Sequence, residues 1–467
     1  MPLILPGNVG SATAATGFDV ANSCRFNGSD EKMTKSSTAG NRTNWTWSGW
    51  IKKCLQAAGS SESFMASYNG ENYCYLQFNN SDQLRFLDYT SGNNCNKITN
   101  RVFRDTSAWF HIVIAINTND GTAEDRYKLY VNGVRETSFA TSANFSDGFS
   151  TNMNVSGHTN TIGVWQTGSS QFYNGYVAEA VLIDGTTLAP TSFGEFDEDS
   201  GIWKPIDVSG LTFGNNGYYL DFEASGNLGN DANGGTDFTE ANLAAVNQSI
   251  DTCTNNFATM NPLDNFFPGH TFSEGNLKIV TTSNESYNTS TIGVSSGKWY
   301  FEVEFDAFDN GVAVVGIIDS PSGAAGASLH KQDQGWGYRD GGDVKNNDSA
   351  VSGTWASYTA DDIIGIALDL DNNRLFFSKN GAFQNSGDPT TSTGAITITA
   401  PSSLPNGNYF FAIGDYNTAT ATLLANFGSP PYSESGGETD GDGFGNFAHA
   451  VPSGYFALCT KNLAEYG

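Results

Sequence analysis

The sequence predicts an all-β protein made of two antiparallel β-sandwiches with a short N-terminal arm. Three observations predict it. First, alternating apolar residues run into an Asn-Gly pair twice, as RYKLYVNGVRE at 126–136 and within IGIALDLDNNRLFFSKNGAF at 364–383. Second, the composition combines 53 glycines and 13% aromatics with only 15% charged residues, which suits short strands joined by many turns. Third, helical periodicity is scarce, confined to 239–250 (TEANLAAVNQSI) and 461–465. At 467 residues the chain is also too long for one ordinary core.

The repeated phrase reads as strand, turn, strand, Asn-Gly. Ile364, Ile366, Leu368 and Leu370 fall on one strand face, because side chains alternate at period two. Asp371-Asn372-Asn373 turns the chain, Leu375 and Phe377 return, and Asn380-Gly381 makes a tight primed turn. In the earlier copy Ile112, Ile114 and Ile116 lead into the polar run NTNDGTAED. Tyr127, Leu129 and Val131 then return to Asn132-Gly133. Each sandwich is expected to contain one copy.

In chain order, residues 1–16 read as an extended arm whose apolar cluster is Leu3-Ile4-Leu5-Pro6. Residues 17–190 form the first sandwich, with strands at 44–51, 73–78, 84–88, 109–116, 127–131 and 176–183. Residues 191–275 are a Gly/Asn/Asp-rich connector. Its apolar patches, GLTFGNNGYYLDF and NNFATMNPL, predict packing against a sandwich rather than a floating linker. Residues 276–428 form the second sandwich, with strands at 299–305, 312–318, 363–370, 374–378, 409–414 and 421–426. Residues 429–467 are a C-terminal loop followed by a closing strand.

Net charge is −27, from 22 basic and 49 acidic residues, a field that repels nucleic acid and anionic membrane surfaces. No apolar run approaches the ~20 residues of a membrane span. The start, MPLILPGNVGSA, reads as neither a secretory signal nor an anchor. The six cysteines form no CxxC and lack nearby histidines. Buried free thiols are expected, with one or two disulfides among the first four as the alternative.

The second sandwich resembles a SPRY domain through GVSSGKWYFEVEFD (293–306), GWGYRDGG (335–342), DDIIGIALDLDNNRLFFSKNGAF, NYFFAIGDY (408–416) and NFG (426–428), in that order. The first resembles laminin-G-like, concanavalin-A-type lectin domains through WTWSGWIK, SAWFHIVIAINTNDG, DRYKLYVNG and NGYVAEAVLIDGTTLAPTSFGEF. Together with GIWKPIDVSGLTFGNNGYYLDF and LPGNVGSATAATGFDV, the chain resembles structural proteins of tailed bacteriophages, marine ones especially. These resemblances imply concanavalin-A-like or jelly-roll sandwiches in a noncatalytic virion appendage such as a tail fibre. It would adhere to host surface glycan or protein and join other virion proteins through the arm. Its expected location is the virion, after synthesis in the host cytoplasm. With no heptad run, a homotrimer would form through sheets and arms. A purely architectural capsid decoration or head fibre is one alternative, and a polysaccharide-degrading tail enzyme is the other.

Several constellations bear on the chemistry. EFDAFD at 304–309 partly resembles the carboxylate strand of β-glucan-cleaving concanavalin-A-type glycosidases. Glu304 and Asp306 share a face, but the third position is Asp309, one methylene short for a retaining pair ~5–5.5 Å apart. The register instead places Trp299, Phe301, Val303 and Phe305 in the core and the glutamates in water. No GxSxG, HExxH or P-loop occurs, and the chain reads as a non-enzyme without cofactor. Asn119, Asp120, Glu124 and Asp125 crowd one loop. Such hard oxygen ligands suit Ca²⁺, and laminin-G-like domains hold Ca²⁺ at a sandwich rim; a solvated turn is the plain alternative. Asp369, Asp371 and Asn373 mimic an EF-hand start, but Arg374 stands where the sharp-turn glycine belongs. The aromatics near loops are Trp165, Tyr173, Trp336, Tyr338, Trp355 and Tyr358. Among them Trp336, Tyr338, Trp355 and Tyr358, with Asp340, mark 334–358 as the expected recognition face. There Tyr338 is expected at a loop tip, and Trp336 and Trp355 are expected to pack at least partly into the core. His111, mid-strand beside Trp109, reads as a packing or surface residue rather than a base.

Overall fold

The computed structural model describes residues 17–55, 60–166, 170–264, 270–281, 285–308, 313–321, 327–417, 419–433 and 437–467. The expected N-terminal arm and Asp309 lie outside the described residues. The chain divides into two compact units, one reaching Thr254 and the other running from Asn255 to Gly467.

The first unit is a sandwich of two eight-stranded sheets. One sheet runs Val134–Glu136, Tyr127–Val131, Trp109–Asn117, Asn44–Lys53, Asn174–Asp184, Ser23–Asn27 and Gln248–Ser249, with Tyr218–Leu220 also on Asn174–Asp184. The other runs Phe139–Ala143, Asn93–Val102, Gln83–Tyr89, Asn72–Phe78, Glu62–Asn69, Thr159–Ile162, Lys32–Ser36 and Thr239–Ala241. Alternation drives one face of every long strand inward, so Trp45, Trp47, Phe64, Leu76, Phe86, Ile112, Ile114 and Leu182 share one core. The residues expected as a connector are divided at the unit boundary. Those up to 254 add strands to both sheets of this sandwich, at 218–220, 239–241 and 248–249. Of the short helical candidate at 239–250, only a 3-10 turn at Ala245–Asn247 forms. Thr239–Ala241 pairs with the edge strand Lys32–Ser36 instead, an example of tertiary pairing overriding local propensity.

The second unit pairs a nine-stranded sheet with a six-stranded one. The larger centres on Lys298–Phe308, flanked by Ala421–Asn426 and Ile363–Asp369. The smaller centres on Ala313–Ile318, between Phe410–Asp415 and Trp336–Arg339. Trp299, Phe301, Val303 and Phe305 are all core. Glu302 departs from expectation: it is fully buried rather than in water. The Ala448 and His449 N–H groups donate to its carboxylate at 2.8 and 3.0 Å, and the Tyr300 hydroxyl does so at 2.9 Å. The C-terminal segment therefore lies over this sheet and adds a short parallel strand, Phe456–Ala457. It ends in the helix Thr460–Tyr466.

The repeated phrase has one structural meaning in both units. Asn132 and Gly133 have φ of 48° and 76°, and Asn380 and Gly381 have 48° and 77°, as a type I′ turn requires. In each copy the turn Asn also reaches back to the first strand. The His111 N–H donates to Asn132 Oδ1 at 2.7 Å, and the Ile363 N–H donates to Asn380 Oδ1 at 2.8 Å. One side chain thus closes a three-stranded meander, which is why the same words recur. All six cysteines are free thiols.

Three buried carboxyls give the first unit a pH signature, and one of them, Asp88, is pushed by burial up to about 6. Burial pushes Glu62 up to about 8. Burial likewise pushes Glu179, at a bulge in Asn174–Asp184, up to about 8. A carboxyl with a raised folded pKa holds its proton more tightly folded than unfolded. For the two glutamates the contribution is complete below the ordinary value of 4.5 and is lost as pH climbs towards 8. The urea midpoint of the first unit is therefore expected to fall between pH 5 and 8, with a shallower fall in Glu62→Gln. An unchanged slope in that variant would contradict this reading.

Candidate functional site

Alternation along Asn72–Phe78 sends Cys74, Leu76 and Phe78 into the core. Tyr73, Tyr75 and Gln77 are left on the outer sheet face. The next strand, Gln83–Tyr89, places Tyr89 opposite Tyr73, Leu87 opposite Tyr75 and Arg85 opposite Gln77. Three phenol rings thereby form a row. Tyr73 stacks on Tyr89 at 5.1 Å between centroids and 12° between planes, and on Tyr75 at 5.8 Å and 11°. Trp165 meets this row edge-on, 5.4 Å from Tyr73 and 5.9 Å from Tyr75. Gly163 puts it there: a φ of 85° turns the chain after Thr159–Ile162, where a Cβ would strike the Phe26 ring at 2.6 Å. The Arg85 guanidinium lies 5.7 Å over the Tyr75 ring, and its Nε donates to Asn96 Oδ1 at 3.2 Å.

Tyr73, Tyr89, Trp165 and Arg85 are half-buried, and Tyr75 forms the buried floor. Burial raises the Tyr73 phenol and pushes Tyr75 up to about 12, so both are neutral hydroxyls at physiological pH. Rings, hydroxyls, an indole and a guanidinium on one rigid sheet face form a surface that accepts apolar C–H faces and hydroxyl groups together.

Of the aromatics singled out from sequence, Trp165 belongs to this face, whereas Tyr173 is fully buried. The expected face at 334–358 needs correction. Tyr338 is not at a loop tip. It sits in Trp336–Arg339 with no exposure, packed on Tyr358 at 5.0 Å, Phe377 at 5.3 Å and Trp355 at 6.0 Å. Tyr358 is buried too and donates to the Ala313 and Tyr338 carbonyls. Asp340 is buried and accepts from the Tyr416 hydroxyl at 2.5 Å. Trp336 and Trp355, expected at least partly in the core, are both half-buried.

The loop with Asn119, Asp120, Glu124 and Asp125 is corrected as well. Arg135 holds Asp125 at 2.5 Å, and Lys128 lies 3.8 Å from Asp120 and 3.9 Å from Asp125. Two of the three carboxylates of this loop are thus paired with cations of the chain. Among the described residues no group of three or more His, Cys, Asp or Glu is placed to hold a metal.

Three Ser–His contacts exist among the described residues. In one, Ser328 Oγ lies 3.0 Å from Nδ1 of His330 two residues on, and the Asp348 carboxylate, 3.8 Å from Nε2, is exposed and held by Lys345 instead. The other two also lack the geometry of an activated nucleophile. The Trp203 Nε1–H donates to His111 Nδ1 at 2.9 Å, so the ring proton sits on Nε2 and points at Ser48 Oγ, 2.8 Å away. A nitrogen that donates to the serine cannot take its proton. In the second unit His270 Nε2 lies 2.5 Å from Ser286 Oγ. Asp415 bears on that same nitrogen at 3.7 Å, while Nδ1 faces Asn288 Oδ1. A triad needs its carboxylate on the opposite nitrogen. Of EFDAFD, Glu304 is half-buried and Asp306 is ion-paired with Lys278 at 3.1 Å.

Comparison with known families is specific for each part. Residues 26–190 match the concanavalin A-like lectin/glucanases superfamily, and residues 298–397 match the SPRY domain. The chain therefore carries one domain of each. Among solved structures it is similar to the SPRY domain of human HERC1, at 17% identity over 36% of this chain and 96% of that one, with a TM-score of 0.29. It is similar to mouse laminin alpha1 chain domains LG4-5, at 11% identity over 88% and 90%, with a TM-score of 0.30. It is also similar to the heptameric SAP-like pentraxin of Limulus polyphemus, at 15% identity over 37% and 80%, with a TM-score of 0.28. No curated protein matches the chain.

Proposed function

We propose that this protein is a noncatalytic adhesion protein that binds glycan through the outer face carrying Tyr73, Tyr75, Tyr89 and Trp165, and that it serves as an appendage of a bacteriophage virion. The observation that carries the glycan reading is the parallel row of three tyrosines capped edge-on by Trp165. Sugar rings offer apolar C–H faces and hydroxyls, which such a row can meet at once. The virion reading is supported by the phage-like stretches LPGNVGSATAATGFDV and GIWKPIDVSGLTFGNNGYYLDF. In that setting residues 1–16 attach the chain to other virion proteins, and the assembled form is a trimer.

The glycan reading is tested by retention of the purified chain on host surface polysaccharide. One contact ring of this type contributes on the order of 2 kcal/mol. Tyr73→Ala and Trp165→Ala are therefore expected to weaken retention roughly tenfold or more, with melting little changed. Full retention in both variants would overturn the reading. Antibody labelling of intact particles tests the virion reading, and an unlabelled particle would refute it.

A further inference from the structure

Arg85 differs in its surroundings from most basic residues of this acidic chain. Lys35, Lys52, Lys53, Arg135, Lys204 and Arg339 each sit within 4.0 Å of a carboxylate. No carboxylate of the described residues pairs with Arg85. Its protein contacts are the Tyr75 ring beneath it and the Asn96 amide on Nε. These two contacts fix the plane of the guanidinium and leave its terminal N–H groups undirected by the chain. A fixed fork of that kind matches a planar or tetrahedral oxyanion. It stands beside the tyrosine row, within a molecule of net charge −27 that repels anions elsewhere.

Building on the glycan reading, we infer that the ligand of this face is an acidic glycan, whose carboxylate or sulfate group is received by Arg85 while its sugar rings lie along the tyrosines. Tyr75 and Asn96 act as positioning residues for the guanidinium. An Arg without an acidic partner, stacked on the floor of an aromatic face, is well suited to choose charged over neutral polymers, because charge-assisted bonds are the stronger ones.

The test uses the full chain with polygalacturonate, dextran sulfate and neutral dextran, each at low and high salt. Wild-type protein is expected to bind at least one acidic polymer and to lose it at high salt. Arg85→Gln should reduce that binding roughly tenfold, with Arg85→Lys retaining part of it. Binding of polygalacturonate alone assigns the group as a carboxylate, and of dextran sulfate alone as a sulfate ester. Binding of dextran that is lost in Tyr73→Ala but kept in Arg85→Gln would overturn this inference and leave the glycan reading standing. No binding of any polymer or of host polysaccharide would overturn both.

Discussion

Replacing Asp251 by alanine is expected to destabilise the first unit by about 3–5 kcal/mol. The Asp251 carboxylate meets Lys52 Nζ at 2.6 Å, with both side chains almost wholly out of water. It also accepts from Trp109 Nε1 at 3.1 Å, and the Asp251 carbonyl accepts from Ser23 Oγ at 2.7 Å. Taking the carboxylate away leaves an ammonium in the interior without its counter-charge, which is the costly way to break a buried pair. The double change Lys52→Met with Asp251→Leu removes both charges and should recover most of the loss, because the pair itself gains little over apolar packing. Urea titration of the three proteins checks this. A loss below about 1 kcal/mol for Asp251→Ala would show that water reaches Lys52.

The second large effect is expected at Tyr338. Tyr338→Ala removes a ring without exposure that packs against Tyr358, Phe377 and Trp355. Core truncations of this size cost about 3–5 kcal/mol. Tyr338→Phe keeps the ring and loses the hydroxyl's bond to the Ala356 carbonyl, which is worth about 1 kcal/mol. The two variants should therefore separate clearly in denaturation followed by tryptophan fluorescence. Glycan retention by the first unit should be the same in both. If Tyr338→Ala melted like wild type, the strand Trp336–Arg339 would not be packed on the core as described.

The error about Tyr338 has a physical cause. GWGYRDGG reads as a turn because its glycines are read as turn formers. Two glycines of this part of the fold serve close packing instead. A Cβ on Gly316 would sit 1.7 Å from the Trp336 carbonyl, and one on Gly337 would sit 2.7 Å from Val314. Glycine inside a strand can mark close approach as well as a turn, and only the neighbouring strand decides which. Glu302 follows the same logic. Its alternation correctly predicts the face opposite Phe301 and Val303, but the segment that covers that face arrives from residues 448–449.

By itself the sequence determined what period two and turn chemistry encode. The all-β class, the central strands of both sandwiches and the two Asn-Gly meanders were all legible, because each depends on residues within a few positions of one another. The tertiary structure alone decided which outer faces are covered and which stay open. Tyr73 and Tyr75 are legible as strand residues, yet their row is completed by Tyr89 on the next strand and by Trp165, which a loop delivers from some 90 residues away. Asp120 and Asp125 are legible as a cluster of oxygen ligands, but Lys128 and Arg135 reach them across strand pairing. Such contacts follow from register and loop path, which are set by the whole buried core rather than by any local pattern.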